Sequence, residues 1–195
     1  MTKSKSRKDV LFEEAAKLFV EKGYAATSVR GIAERVGIEP SSIYSHIKSK
    51  EVLLVKICMD AAHYFVDGME DILKKQLPVF DTIEMLVDLH IDAIVEAPTT
   101  VTVFTDEWKH LPSEVLNEFL TLRNGYELKW RAILQQGIDG GKIRKVDTQL
   151  MAHTLLSTMR WVQTWVNDEK VKRTEEIKSM LKTFIRKGLE ELDNG

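Results

Sequence analysis

The chain is poor in several things. A single cysteine, Cys58, among 195 residues excludes an internal disulfide framework and a paired-cysteine zinc site, so nothing calls for an oxidising compartment. Four prolines and ten glycines are too few for a collagen-like, mucin-like or low-complexity chain, and they argue against many short strands joined by turns. No apolar stretch approaches the roughly 18 residues of a membrane span. The basic start, Met1 to Lys8, leads into Asp9-Val-Leu-Phe-Glu-Glu14, which lacks the apolar core of a secretory signal. The default expectation is a cytoplasmic protein that makes no use of a membrane. Net charge is small as well: 28 bases against 30 acids leave −2, which taken alone speaks against nucleic acid.

Dividing the charge changes that reading. Residues 1–50 hold ten bases and six acids, a net of +4, and the remaining 145 residues carry a net of −6. A basic segment on an otherwise acidic chain is the footprint expected where one part alone meets phosphate, although solvated helix faces can produce the same asymmetry.

What the sequence has in quantity is helical periodicity. Phe12, Ala15, Ala16 and Phe19 recur at i, i+3, i+4, i+7 from Lys8 to Lys22, and Gly23 ends that helix. Thr27 and Ser28 offer N-cap hydroxyls to a short helix with Val29, Ile32, Ala33 and Val36 on one face, which Gly37 stops. Pro40 suits the first position of a third helix carrying Ile43, Tyr44 and Ile47. Ser49 can cap a long fourth helix reaching Leu73. Further helices are expected at about 79–97, 99–110, 113–137, 147–167 and 173–192, so the fold class is all-α with about nine helices.

Two short helices joined at Gly37-Ile-Glu-Pro40 behind a longer one make a tri-helical helix-turn-helix, whose second helix can enter a major groove. The segment Thr27-Ser-Val-Arg-Gly-Ile-Ala-Glu-Arg-Val-Gly, followed by Tyr44-Ser-His46 and Lys48-Ser-Lys50, closely resembles the DNA-binding segment of the TetR family of transcriptional regulators. The resemblance covers about residues 8–55; Ile47 stands where the family often has Phe and keeps the position apolar. It implies a DNA-binding domain over 1–50 and a ligand-binding and dimerisation domain over 51–195. Thr27 and Ser28 lie at a helix N-terminus that favours phosphate, and Arg30 on the first turn can reach phosphate or a guanine edge. Ser41 and Ser42 are short enough to let the recognition helix approach the bases. Tyr44 and His46 match family positions that bond DNA phosphates, and Lys50 supplies a further cation. The tail Lys3 to Lys8 is either solvated or a minor-groove and phosphate arm.

For the second domain the resemblance implies a cavity and a homodimer. Leu155, Leu156, Met159, Val162, Trp165 and Val166, with the stripe Ile177, Met180, Leu181, Phe184, Ile185, Gly188 and Leu189, give the last two helices apolar faces that can pair as a four-helix bundle. All four tryptophans lie beyond residue 100. Met59, Phe65, Phe104, Trp108, Tyr126, Trp130, Trp161 and Trp165 are the candidates for an apolar pocket, though each also suits ordinary core. Phe104-Thr-Asp-Glu-Trp108 and Arg160-Trp-Val-Gln-Thr-Trp165 look similar to segments of TetR-like members that sense acyl-coenzyme A thioesters. The expected effector is therefore a small apolar or acyl-CoA-like molecule.

Chemistry of other kinds finds no foothold. His63, His90, His110 and His153 are widely spaced and read as isolated histidines, not as metal ligands. No phosphate loop or nucleophile elbow appears, and Cys58 lies in an apolar stripe as an inert core thiol. The expectation is a non-enzyme without catalytic residues, metal or cofactor. It is a ligand-responsive repressor on a double-stranded operator or, alternatively, a structural DNA binder acting through a protein partner with no effector.

Overall fold

A computed structural model describes residues 7–45, 47–165 and 173–190. His46, Val166 and the tail residues Lys3 and Lys5 lie outside them. The described residues form α1 (Arg7–Lys22), α2 (Val29–Val36), α3 (Pro40–Ile43), α4 (Lys50–Leu73), α5 (Val79–Glu96), α6 (Pro98–Asp106), α7 (Ser113–Asp139), α8 (Thr148–Arg160), α9 (Val162–Trp165) and α10 (Thr174–Leu189). The chain is all-α, as its periodicity indicates. No helix is long and apolar enough to cross a membrane among the described residues.

The first compact unit comprises Met1–His63 and Thr99–Leu120. Its core takes Leu11, Ala15, Leu18 and Phe19 from α1, Ile32 and Ala33 from α2, Ile43 from α3, and Leu53, Leu54 and Cys58 from α4. Burial pushes the Cys58 thiol up to about 12, with the carboxylate of Glu107 adding to the effect, so it stays protonated. Between α2 and α3 the chain reverses at Gly37, whose φ of 73° is the left-handed conformation that side chains resist. The Gly37 N–H donates to Glu34 O at 3.3 Å and the Ile38 N–H to Ala33 O at 3.0 Å, closing the last turn of α2. Segment 99–120 shares this unit: Tyr24, edge-on to Phe19 at 5.1 Å, stacks on His110 at 5.2 Å.

The second unit comprises Tyr64–Pro98 and Thr121–Gly195. Here α5 packs against α8, α9 and α10. Ion pairs line its contact with α10: Lys178 with Asp92 at 2.6 Å, Lys182 with Asp88 at 2.6 Å and Arg186 with Glu84 at 2.6 Å. The numbers rise along one helix as they fall along the other, so the helices are antiparallel. Inside the ladder lie Ile83, Leu86, Val87, Ile91 and Ile94 of α5 with Ile177, Leu181, Ile185 and Leu189 of α10. The end of α10 is tied by an antiparallel bridge between Ile143 and Glu190, and by Arg144 Nε donating to Gly188 O at 2.8 Å.

Two helix boundaries differ from the periodic reading. The helix expected at 99–110 leaves α geometry after Asp106 and finishes as a 3-10 turn at Trp108–His110. The helix expected at 147–167 is interrupted at Trp161. Three threonine hydroxyls there donate to carbonyls one turn back, Thr154 to Leu150, Thr158 to Thr154 and Thr164 to Trp161, all at 2.8 Å. Such bonds compete with the backbone ladder and bend helices.

The glycines of α7 give a test of this packing. A Cβ on Gly137 would meet Ile143 Cδ1 at 2.4 Å and Val79 Cγ2 at 3.1 Å, whereas one on Gly125 meets nothing within 4 Å. Urea titration is expected to show Gly137→Ala less stable by about 1–3 kcal/mol. Gly125→Ala is expected to be more stable by about 0.5–1 kcal/mol.

Candidate functional site

The turn-and-helix segment sorts its candidate residues into two kinds. Ser28 sits in extended geometry at the N-cap of α2, its Oγ accepting from the Gly31 N–H at 3.0 Å, and remains exposed. Arg30, one turn in, pairs with Glu34 at 3.0 Å, with 78% and 61% of the two side chains in solvent. A pair so open contributes little and can be exchanged for a phosphate. Ser41 and Ser42 are exposed on the single turn of α3, and Tyr44 just after it is 62% exposed. The hydroxyls and the guanidinium of these five residues are available to a polyanion.

Thr27 and Lys50 turn inward instead. Thr27 is 4% exposed, and its hydroxyl donates to Leu18 O at 3.2 Å and Gly23 O at 2.9 Å. Lys50 Nζ donates to the carbonyls of Tyr24 at 2.7 Å, Ala25 at 3.2 Å and Thr27 at 2.8 Å, and lies 4.4 Å from the Tyr24 ring centroid. An ammonium has three N–H groups, and all three are engaged. The clasp fastens the first residue of α4 to the turn that leads into α2. His46 lies outside the described residues.

The pocket candidates fall into separate groups. In the second unit Phe65 stacks on His90, with centroids 4.7 Å apart and an interplanar angle of 23°, and lies 6.3 Å from the Tyr126 ring. His90 Nε2 is 2.7 Å from Tyr126 Oη, and the Trp130 ring centroid is 6.5 Å away. In the first unit Phe104 and Trp108 both pack against Phe119, at 5.6 and 5.9 Å. Trp161 and Trp165 form an edge-on pair at 5.9 Å, with Trp161 39% exposed. Met59 is half-buried on α4.

His90 joins the first of these groups although its spacing from other histidines reads as isolation. Burial drives its imidazole down to about 4, so the ring is neutral at pH 7. It nevertheless keeps accessible surface, which therefore faces a space inside the protein and not bulk water. Burial also raises the Tyr126 phenol, and the nearby Trp130 N–H partly opposes this. The overlooked signal is that His90 follows Ile83, Leu86 and Val87 at helical spacing, a polar ring placed on the apolar face of α5. Among the described residues no three His, Cys, Asp or Glu side chains are grouped to hold a metal ion.

Residues 11–57 match the family described as bacterial regulatory proteins, tetR family, and residues 76–189 match the tetracyclin repressor-like C-terminal domain. The chain belongs to the TetR family. This TetR-family chain is 31% identical over 164 residues to the HTH-type transcriptional repressor KstR2 of Mycolicibacterium smegmatis, covering 83% of this chain and 78% of that one. It is 24% identical to the fatty acid metabolism regulator protein of Bacillus subtilis, over 90% and 92% of the two chains. The fold is shared with the ketosteroid transcriptional regulator KstR2 of Mycobacterium tuberculosis, with a TM-score of 0.89, 23% identity and coverage of 97% and 98%. It is also shared with AibR in complex with isovaleryl coenzyme A and operator DNA, with a TM-score of 0.78, 21% identity and coverage of 92% and 97%. The helix-turn-helix of this TetR-family chain is thus a DNA-binding element of a transcriptional regulator.

Two measurements check the roles drawn here. Lys50→Met is expected to lower stability by about 2 kcal/mol through its lost charged hydrogen bonds. The slope of log affinity for DNA against log salt should stay unchanged; a loss of about one would make Lys50 a phosphate contact instead. For His90 the folded value lies below the unfolded one, so the unfolded chain takes up the proton first. Stability is therefore full above about 6.5 and falls as pH drops toward about 4, by about 3 kcal/mol. His90→Gln should lack this component, so its stability gap to the parent protein changes by that amount across the window.

Proposed function

We propose that the chain is a homodimeric repressor which holds its operator through the α2–α3 segment and releases it when an acyl-CoA-like effector enters the second unit. The observation that carries the DNA half is the set of five solvent-facing residues, Ser28, Arg30, Ser41, Ser42 and Tyr44, on a segment matching the family's DNA-binding part. On this reading Thr27 and Lys50 serve the same surface by holding the start of α2 in place, and His46 extends it. The DNA-contacting part ends near residue 50, and the acidic remainder senses and dimerises.

Support for the effector comes from three sides. The aromatic group around His90 offers an apolar, uncharged setting. AibR is described with isovaleryl coenzyme A and operator DNA together, and a relative covering 90% of this chain is named for fatty acid metabolism. For the dimer, Leu150 and Trp161 near α8 and Met180 and Phe184 on α10 remain exposed while their neighbours are buried, with Phe184 at 66%. Apolar faces of this kind suit pairing across a two-fold axis, which would set two reading heads about 34 Å apart along DNA.

The experiment begins with selection of bound DNA from a random pool. Against the selected site, Arg30→Ala should weaken binding and reduce the salt slope by about one. Decanoyl-CoA should release the site, while decanoate and free coenzyme A should not. If saturating decanoyl-CoA and its shorter homologues release nothing, the acyl-CoA reading fails.

A further inference from the structure

Trp130 sets the problem. Its side chain is fully buried, yet its indole Nε1 has no hydrogen-bond partner of good geometry. Buried N–H groups are nearly always bonded, because water lost on burial must be replaced. The nearest polar neighbour is the Tyr126 hydroxyl, close enough for the N–H to oppose the rise of the phenol, and that hydroxyl is already bonded to His90 at 2.7 Å.

Counting protons narrows what could complete the group. A phenol has one proton and two lone pairs. If His90 carries its hydrogen on Nε2, it donates to Tyr126 Oη, and the phenolic O–H is left to donate elsewhere. Trp130 Nε1–H and Tyr126 O–H are then two unused donors side by side. A carbonyl oxygen, with its two lone pairs, accepts from both. Phe65, stacked on the imidazole at 4.7 Å, holds the ring so that its edge faces Tyr126.

We infer that Tyr126 and Trp130 form an anchor for an uncharged carbonyl oxygen carried on the apolar part of the effector, with His90 as the positioning residue behind Tyr126. The inference rests on the reading that the second unit holds the effector, and it adds the ligand's chemical class: an oxygenated skeleton instead of a plain hydrocarbon chain. A carboxylate does not suit the group, since Phe65, His90, Tyr126 and Trp130 bring no positive charge. The neighbouring cation on α7, Lys129, is paired with Glu70. Any ionised end of the effector is therefore held away from this anchor.

The test uses the full chain labelled with 15N-tryptophan, the Trp130 indole resonance being assigned by its loss in Trp130→Phe. Two matched pairs serve as probes: 2-octanone with 1-octene, and 7-oxooctanoyl-CoA with octanoyl-CoA. The carbonyl member is expected to move the Trp130 N–H proton downfield and to bind about tenfold tighter than its partner. Tyr126→Phe, which keeps the ring, should bring the two members of a pair within about twofold. Equal affinity for 2-octanone and 1-octene in the parent protein, or no binding of either, with an unmoved Trp130 resonance, overturns the anchor without recourse to any variant. If octanoyl-CoA binds and releases DNA while the 7-oxo form gains nothing, the anchor fails and the acyl-CoA reading survives. If neither thioester binds but the ketone still outcompetes the alkene, the anchor stands and the acyl-CoA reading fails.

Discussion

A lysine ammonium placed against three backbone carbonyls is the constraint from which the DNA-binding head takes its shape. Residues 24–27 cannot form a helix, because Gly23 has ended α1 and α2 has not begun, so their carbonyls point away from any ladder. Lys50 collects three of them, and its charge sits over the face of Tyr24, where the ring's electron-rich side favours a cation. Thr27 adds its own hydroxyl to the last carbonyls of α1 and the turn. The start of α2 is thereby fixed from both sides, and Ser28 can cap it with its side chain still facing outward. Because Lys50 is also the first residue of α4, a helix that runs from the first unit into the second, the clasp joins the exposed segment to the one element continuous with the rest of the chain.

The basic balance of the first fifty residues takes on a narrower meaning in this light. Lys17 is bonded to Glu14, Arg35 to Glu21, Arg30 to Glu34, and Lys50 to carbonyls. Several of the bases that give the segment its net charge are thus engaged inside it, with very different grips. The Arg30 pair is open and exchangeable, whereas the Lys50 contacts are part-buried and multiple. A count of charges along a sequence treats the two alike, but only the first kind is free to meet a phosphate.

The parts that could be read from sequence are those governed by local rules. Gly37 in the left-handed conformation, Pro40 opening α3, Ser28 as a cap and the four-residue spacing of Ile177, Leu181, Ile185 and Leu189 all follow from backbone and periodicity arguments. Thr27 and Lys50 were legible as members of a motif but not as inward-facing groups, since both roles depend on carbonyls up to 26 residues away. The break at Trp161 was hidden because threonine back-bonding leaves hydrophobic spacing intact. His90 was hidden for a different reason: its partners Tyr126 and Trp130 lie on α7, more than thirty residues on, and spacing among histidines says nothing about a hydroxyl or an indole. Nor could a cut along the chain show that 99–120 shares a core with the DNA-binding segment, because that pairing skips the whole of α5.

The ladder between α5 and α10 repeats every four residues on α10, with Lys178, Lys182 and Arg186 in step with Ile177, Leu181 and Ile185 beside them. A repeat of this kind is ambiguous. Moved by one helical turn, about 5.4 Å, most cations would find another carboxylate and most apolar side chains another hollow. What distinguishes one setting from the next is the material that does not repeat, above all Arg144 on Gly188 O and the bridge from Ile143 to Glu190. These contacts act like the zero mark on a vernier, selecting one alignment from a scale whose graduations are otherwise alike.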